Sequence, residues 1–263
     1  MIKKFVKKIL SSFGYKLSRI ESVDLPDLDE ITKSLTKKPD PIIFDVGANK
    51  GQSIERYKKM FKFPTIHCFE PNADEISNLK KKFLNDNNLV LNNLAVGEKE
   101  GTLEFNINAI SDHSSFRKLI PNTTWIKKRS KQVNISSENY TSKKINTEII
   151  TLDDYVKKKN IENIDILKID TQGFEDKVLL GAQKLIKENK IKLIQLELIF
   201  SEIYQDSLQI YDIEKNLIPK NFKLFSISNG GSLDSHYIFQ SELIYVSSDV
   251  YENFKKNSPY FNN

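Results

Sequence analysis

The stretch Ile42-Ile43-Phe44-Asp45-Val46-Gly47-Ala48-Asn49-Lys50-Gly51-Gln52 constrains the fold more than any other part of the chain. Five residues of strand character run into a turn bearing two glycines, and a helical period begins at Gln52. A strand, a tight glycine turn and a helix in that order form the first unit of a Rossmann-like sheet, where nucleotide-type cofactors bind at the carboxyl ends of the strands. Gly47 and Gly51 allow the backbone to turn sharply and, as read from sequence, let a ligand approach without a Cβ in the way.

From Pro41 onward the same alternation continues, which predicts an α/β domain with a mostly parallel central sheet, helices on both faces and an antiparallel edge strand. Strands are expected over 42–46, 65–70, 89–94, 164–170 and 192–199, and helices over 52–61, 73–84 and 174–188. Two late runs, 222–228 and 243–247, read as a strand pair closing one edge. Residues 1–40 read as a basic amphipathic helix and a polar linker, and residues 41–263 as the main domain. Between about 108 and 147 the alternation fails; this polar stretch is expected to be an insertion over the mouth of the site, or a surface excursion.

The chain carries 40 basic and 35 acidic residues, a net charge of +5, with the lysines spread in ones and twos. That distribution suits a solvated surface better than the basic stripe of a nucleic-acid binder, so no DNA partner is expected. A single cysteine, Cys68, excludes an internal disulfide and a thiolate zinc cage, and fits a reducing, cytoplasmic setting. Mean hydropathy is −0.45, and no window reaches the roughly 20 apolar residues of a membrane span. Residues 1–20 instead place lysines opposite Ile2, Phe5, Ile9 and Phe13, so the expected helix either packs on the domain or touches an anionic membrane surface.

The turn separates two cofactor classes. A dinucleotide site needs a second glycine where Asn49 stands, and the charge of Asp45 opposes a pyrophosphate while suiting the ammonium and sulfonium of S-adenosyl-L-methionine. Glu70, in Phe69-Glu70-Pro71 at the second strand tip, is placed to accept hydrogen bonds from a ribose diol.

Asp45–Asn49, Phe69–Pro71, Thr151-Leu152-Asp153-Asp154 and Leu167-Lys168-Ile169-Asp170-Thr171-Gln172-Gly173-Phe174-Glu175 together resemble the FkbM family of methyltransferases, over about Pro41 to Ser247. The resemblance implies a class I methyltransferase fold, S-adenosyl-L-methionine as donor, and action on hydroxyls of sugars or other metabolites. It puts Asp45, Gly47, Asn49 and Gly51 around the donor's amino-acid end, Glu70 on its ribose, and Asn93 and Ala95 at its adenine, although 93–97 also reads as an ordinary turn.

Asp170 ends its strand in front of Thr-Gln-Gly and is the leading catalytic candidate; a purely structural pair with Lys168 is the alternative. His113, in Asp112-His113-Ser114-Ser115, is a candidate proton acceptor near neutral pH, with His236 behind it. Glu197, at the end of the fifth strand, either positions substrate or caps a buried edge. Asp170 and Glu197 are too few to define a metal site. The expected activity is O-methylation of a glycan, glycan precursor or small-molecule hydroxyl. An RNA methyltransferase and a catalytically silent scaffold remain open.

Overall fold

The structure is a computed structural model that describes residues 27–228, 231–234, 237–258 and 261. The amphipathic helix expected near the N-terminus and His236 lie outside the described residues.

Helix α1 (Leu28–Thr36) precedes β1 (Ile42–Val46), α2 (Gln52–Met60), β2 (Thr65–Phe69), α3 (Ala73–Lys82) and β3 (Leu89–Asn92). Short β4 (Ala95–Val96) leads to β5 (Gly101–Asn108), α4 (Thr124–Gln132) and β6 (Thr141–Ile150). Next come α5 (Leu152–Lys159), β7 (Ile164–Ile169), α6 (Glu175–Leu180), α7 (Gln183–Lys187) and β8 (Ile191–Ile199). The chain continues through α8 (Ile210–Leu217), β9 (Phe222–Ile227), β10 (Gly231–Asp234), β11 (Tyr237–Ser247) and α9 (Ser248–Asn257).

The main sheet runs β10-β11-β8-β7-β1-β2-β3, with β9 also on β11. β3, β2, β1, β7 and β8 are parallel, while β11 runs antiparallel to β8, opposing Glu242 to Glu197. β1 lies between β2 and β7, so the order reverses beside it, and the crevice beyond its carboxyl end is where ligands enter such sheets. Alternate residues of β1 feed two cores: Phe44 and Val46 pack toward α5–α8, Ile43 toward α1, α2 and α3.

Two stretches of helix differ from the sequence reading. Residues 28–36, expected as linker, form a helix capped by Asp27 that buries Leu28 and Ile31 in the second core. The expected helix over 174–188 is two, because α6 stops at Gly181, where a Cβ would collide with the carbonyl oxygen of Gly97. Asp153 then accepts hydrogen bonds from the Lys184 and Leu185 N–H groups at 3.0 Å each and starts α7. Thr151 caps α5 through Asp154 N–H at 3.0 Å, so the Thr-Leu-Asp-Asp motif organises helix ends.

The polar region is also more ordered than expected. β5 and β6 pair antiparallel from Gly101↔Ile149 to Asn108↔Thr141, and β4 joins β6 as a third strand. The intervening chain holds α4 and packs Trp125, Ile126 and Tyr140 onto Ile199, Ile203, Tyr204 and Phe239.

Candidate active site

A cavity of about 430 Å³ opens at the carboxyl ends of β1, β2, β7 and β8, roofed by the polar region. Its volume is in the range of small-molecule sites, commonly about 300–1,000 Å³. Phe69, Ala95, Val96 and Phe105 give one apolar end; Asp170, Gln172, Glu197, Gln240 and Glu242 give a polar one.

The turn after β1 is fixed by its own backbone. Gly47 has φ +89° and donates its N–H to Phe69 O at 3.0 Å, and Asn49, at φ +42°, donates to Glu70 Oε2 at 2.9 Å. A Cβ on Gly47 would strike the Asp170 carbonyl, and one on Gly51 would meet Leu79 and Phe83. Both glycines therefore have a reason in the protein's own backbone and packing, beside the access to a ligand read from sequence. Gly47 and Asn49 line the cavity; Gly51, at the start of α2, does not.

Glu70 accepts backbone N–H groups from Asn49 and, at 2.8 Å on Oε1, from Asn72. An ionised carboxylate offers about four acceptor positions, so two remain for a diol. Burial raises its carboxyl to about 7, against the lowering effect of those N–H donors. Asn93 sits outside the cavity wall, donating to the carbonyls of Glu70 and Pro71 at 3.0 Å each, and so holds the β2 tip; Ala95 lines the cavity.

Asp45 does not face the cavity. Its side chain shares the face of Ile43, is fully buried, and has no hydrogen-bond donor on either oxygen; its cation is Lys168, with Nζ 3.9 Å from Oδ1. Burial raises its carboxyl above the ordinary value while Lys168 pulls it down. The direct contact with a donor's ammonium expected from sequence is replaced by this internal pairing.

The same ammonium lies 3.0 Å from Asp170 Oδ2, which does line the cavity. Burial pushes the Asp170 carboxyl up, but Lys168 and the Gln172 amide outweigh it and leave it below the ordinary value. Gln172 Nε2 donates to both Asp170 Oδ1 and Glu197 Oε2 at 3.0 Å, and Gln240 Nε2 reaches Glu197 Oε1 at 2.7 Å. With its NH₂ facing the carboxylates, Gln172 places Oε1 3.2 Å from Tyr204 OH, whose shorter hydrogen bond, at 2.8 Å, goes to His113 O.

The Gln172 turn rests on Glu175, a nearly fully buried carboxylate that accepts from Thr171 N–H, Thr171 Oγ1 and Gly173 N–H at 2.9–3.2 Å. Its place in the Asp-Thr-Gln-Gly-Phe-Glu run was visible in the sequence, but nothing there marked it as the anchor of the loop.

Across the mouth, the 3₁₀ turn Ser111–His113 reaches the β1 turn. Asn49 Nδ2 donates to Asp112 Oδ1 at 2.8 Å, and Ser111 Oγ donates to Asn49 Oδ1 at 3.1 Å. His113 lines the cavity behind this strap, with Nδ1 2.6 Å from Tyr140 OH and its ring 4.6 Å from Trp125. Burial, then Arg129, lowers its imidazole to about 4. It is thus neutral at neutral pH and a weak proton acceptor, unlike the base expected from sequence. Among the described residues no group of three or more metal-ligating side chains occurs.

Residues 45–224 match the methyltransferase FkbM domain, well over half of the chain. The 2-O-methyltransferase NoeI of Sinorhizobium fredii is 24% identical over 188 residues, covering 71% of this chain and 74% of that protein. Among solved structures, a precorrin-6y C5,15-methyltransferase from Geobacter metallireducens aligns at TM-score 0.42 and 11% identity, over 87% of this chain and 91% of the other. An rRNA methylase from Streptococcus thermophilus aligns at 0.45 and 9%, over 86% and 99%.

Proposed function

Starting from a chain that belongs to the FkbM methyltransferase family and takes its methyl group from S-adenosyl-L-methionine, we propose that it O-methylates a hydroxyl of a sugar in a surface glycan or glycan precursor. The observation that carries this reading is the polar end of the cavity. There, two carboxylates and two amides, Asp170, Glu197, Gln172 and Gln240, form one hydrogen-bonded row, a surface that suits an acceptor rich in hydroxyls. The relative named as a 2-O-methyltransferase supports oxygen as the methylated atom.

The residues fit the donor: Glu70 has acceptor positions to spare for the ribose, and Ala95 with Val96 gives an apolar slot for the base. The Gly47–Asn49 turn would hold the amino-acid end. Bound there, the donor supplies a methyl group on a sulfonium, which is already a good leaving group. The protein's work is then mostly alignment, and fixed alignment alone is worth about 7–11 kcal/mol in favourable intramolecular cases. Asp170, kept ionised by Lys168, accepts a hydrogen bond from the acceptor and fixes its direction. The Ser111–His113 turn, tied to Asn49 across the mouth, shields one side of the reacting end from water.

The test is mass spectrometry of surface polysaccharide from cells with and without the protein. A loss of one CH₂ per repeat unit without it is expected; identical glycans would refute the acceptor class.

A further inference from the structure

Methylating a hydroxyl leaves a proton to place, and the groups facing the cavity differ in their freedom to take it. Asp170 is bound to an ammonium 3.0 Å away. Glu70 is held by two backbone N–H groups at the β2 tip, beside the apolar end. Glu242 accepts from Gln195 at 2.9 Å and has Arg56 Nη1 3.6 Å away. His113 is lowered to about 4 by burial first and then by Arg129.

Among these carboxylates Glu197 alone has neither an ion-pair partner nor a backbone donor: its hydrogen bonds come from the neutral amides of Gln172 and Gln240. We infer that Glu197 is the catalytic residue that receives the acceptor's proton, with Gln172 and Gln240 as positioning residues, an assignment that rests on the hydroxyl-acceptor reading above. In the step, the acceptor oxygen forms a bond to the methyl carbon while the carbon–sulfur bond breaks and its electron pair stays on sulfur. The O–H bond breaks, and its proton moves to a Glu197 carboxylate oxygen.

The surroundings agree. Burial and then the charge of Asp170 raise the Glu197 carboxyl to about 8, with Glu242 adding to them and Lys168 and the Gln172 hydrogen bond opposing. Two neighbouring carboxylates pushed in opposite directions mark a division between a fixed charge and a proton carrier. A base of this strength is matched to a reaction near neutral pH.

The experiment compares wild type, E197Q and E197D. Glutamate labelled with carbon-13 at Cδ is followed through a pH titration, and the signal lost in E197Q identifies Glu197. Donor binding is measured by calorimetry, and kcat against pH with a panel of methyl hexopyranosides. The expected result is a Glu197 signal titrating well above the ordinary glutamate value of about 4.3. E197Q should lose kcat by about 10²-fold or more with donor affinity unchanged and no acid limb, while E197D keeps a limb. An ordinary titration, or a kcat that survives in E197Q, overturns the assignment while leaving the hydroxyl reading intact. A wild type that methylates none of the sugars overturns it through that reading instead, whatever Glu197 titrates at.

Discussion

Replacing Lys168 with methionine tests the electrostatic centre of the sheet without needing an acceptor. The Lys168 side chain is 7% exposed and its ammonium is the cation for two carboxylates, Asp170 at 3.0 Å and the fully buried Asp45 at 3.9 Å. Methionine preserves most of the stem and removes the charge, leaving Asp45 with no hydrogen-bond donor and only the weaker field of Arg56. Breaking a buried pair from one side costs about 3–5 kcal/mol, a large share of a domain's usual 5–15 kcal/mol. The sign with pH follows from Asp45, whose folded carboxyl is raised by burial and climbs further once Lys168 is gone. A carboxyl raised in the folded state binds its proton more tightly there, so stability falls as pH rises from the unfolded value through the folded one. The deficit of Lys168→Met should therefore be larger at pH 8 than at pH 5. Urea unfolding followed by circular dichroism at both values measures it, with the denaturant slope unchanged. The double variant Asp45→Asn with Lys168→Met should regain at least half of the loss at pH 8, because it removes both partners. A single variant within about 1 kcal/mol of wild type at pH 8 would refute the pairing, since that is far below the loss expected for a broken buried pair.

Glu70→Ala should weaken donor binding in calorimetry and raise the donor KM while leaving kcat near wild type; unaltered binding would remove Glu70 from the donor site. Asp170→Asn should instead lower kcat by about 10²-fold, because the acceptor loses the carboxylate that orients it, with little change in donor affinity; loss of donor binding with turnover intact at saturation would make Asp170 a donor ligand. Gly47→Ala should destabilise the fold by more than about 2 kcal/mol, because the added Cβ meets the Asp170 carbonyl in a turn at φ +89° that disfavours any side chain; a stable, donor-binding variant would contradict that geometry. A chain starting at Asp27 should stay folded and lose any pelleting with anionic vesicles at low salt. One starting at Lys37 should melt earlier, since Leu28 and Ile31 leave the core, and equal melting would show that α1 adds nothing.

The central sheet was legible because its strands are buried on both faces, so Ile42–Val46 and Ile164–Ile169 stand out as apolar runs between helical periods. β6 was not: of its ten residues only Thr147 and Ile149 are buried, and a strand with one wet face made of Lys, Asn and Glu leaves little alternation to read. α1 hid for a related reason, since a nine-residue helix needs only two or three buried contacts and its flanking prolines read as linker. In the site, the positions of Glu70, Asp170 and Glu197 followed from strand ends. The inward turn of Asp45 did not, because strand alternation places it on Ile43's face while the sequence showed only that it stood next to the turn. Gln172 and Gln240 were invisible as partners of Glu197, lying on segments that reach it only through the pairing of β7 and of β11 with β8.

The strap-bearing excursion leaves the small sheet at Asn108 and re-enters it at Thr141, and these two residues are partners in the β5–β6 ladder. Its ends are thus already joined by strand pairing, whatever lies between them. For a flexible segment so anchored, doubling the length costs only about 0.6 kcal/mol of closure entropy. Within residues 109–140 the freedom ends where the segment grips the enzyme: Ser115 Oγ donates to Gln172 O at 2.7 Å, Arg117 Nε donates to Gly173 O at 3.0 Å, and Trp125 and Tyr140 pack on Tyr204. A foreign excursion grafted between Asn108 and Thr141 therefore has to carry those grips with it, or the turn that aims Gln172 at Asp170 and Glu197 loses its support.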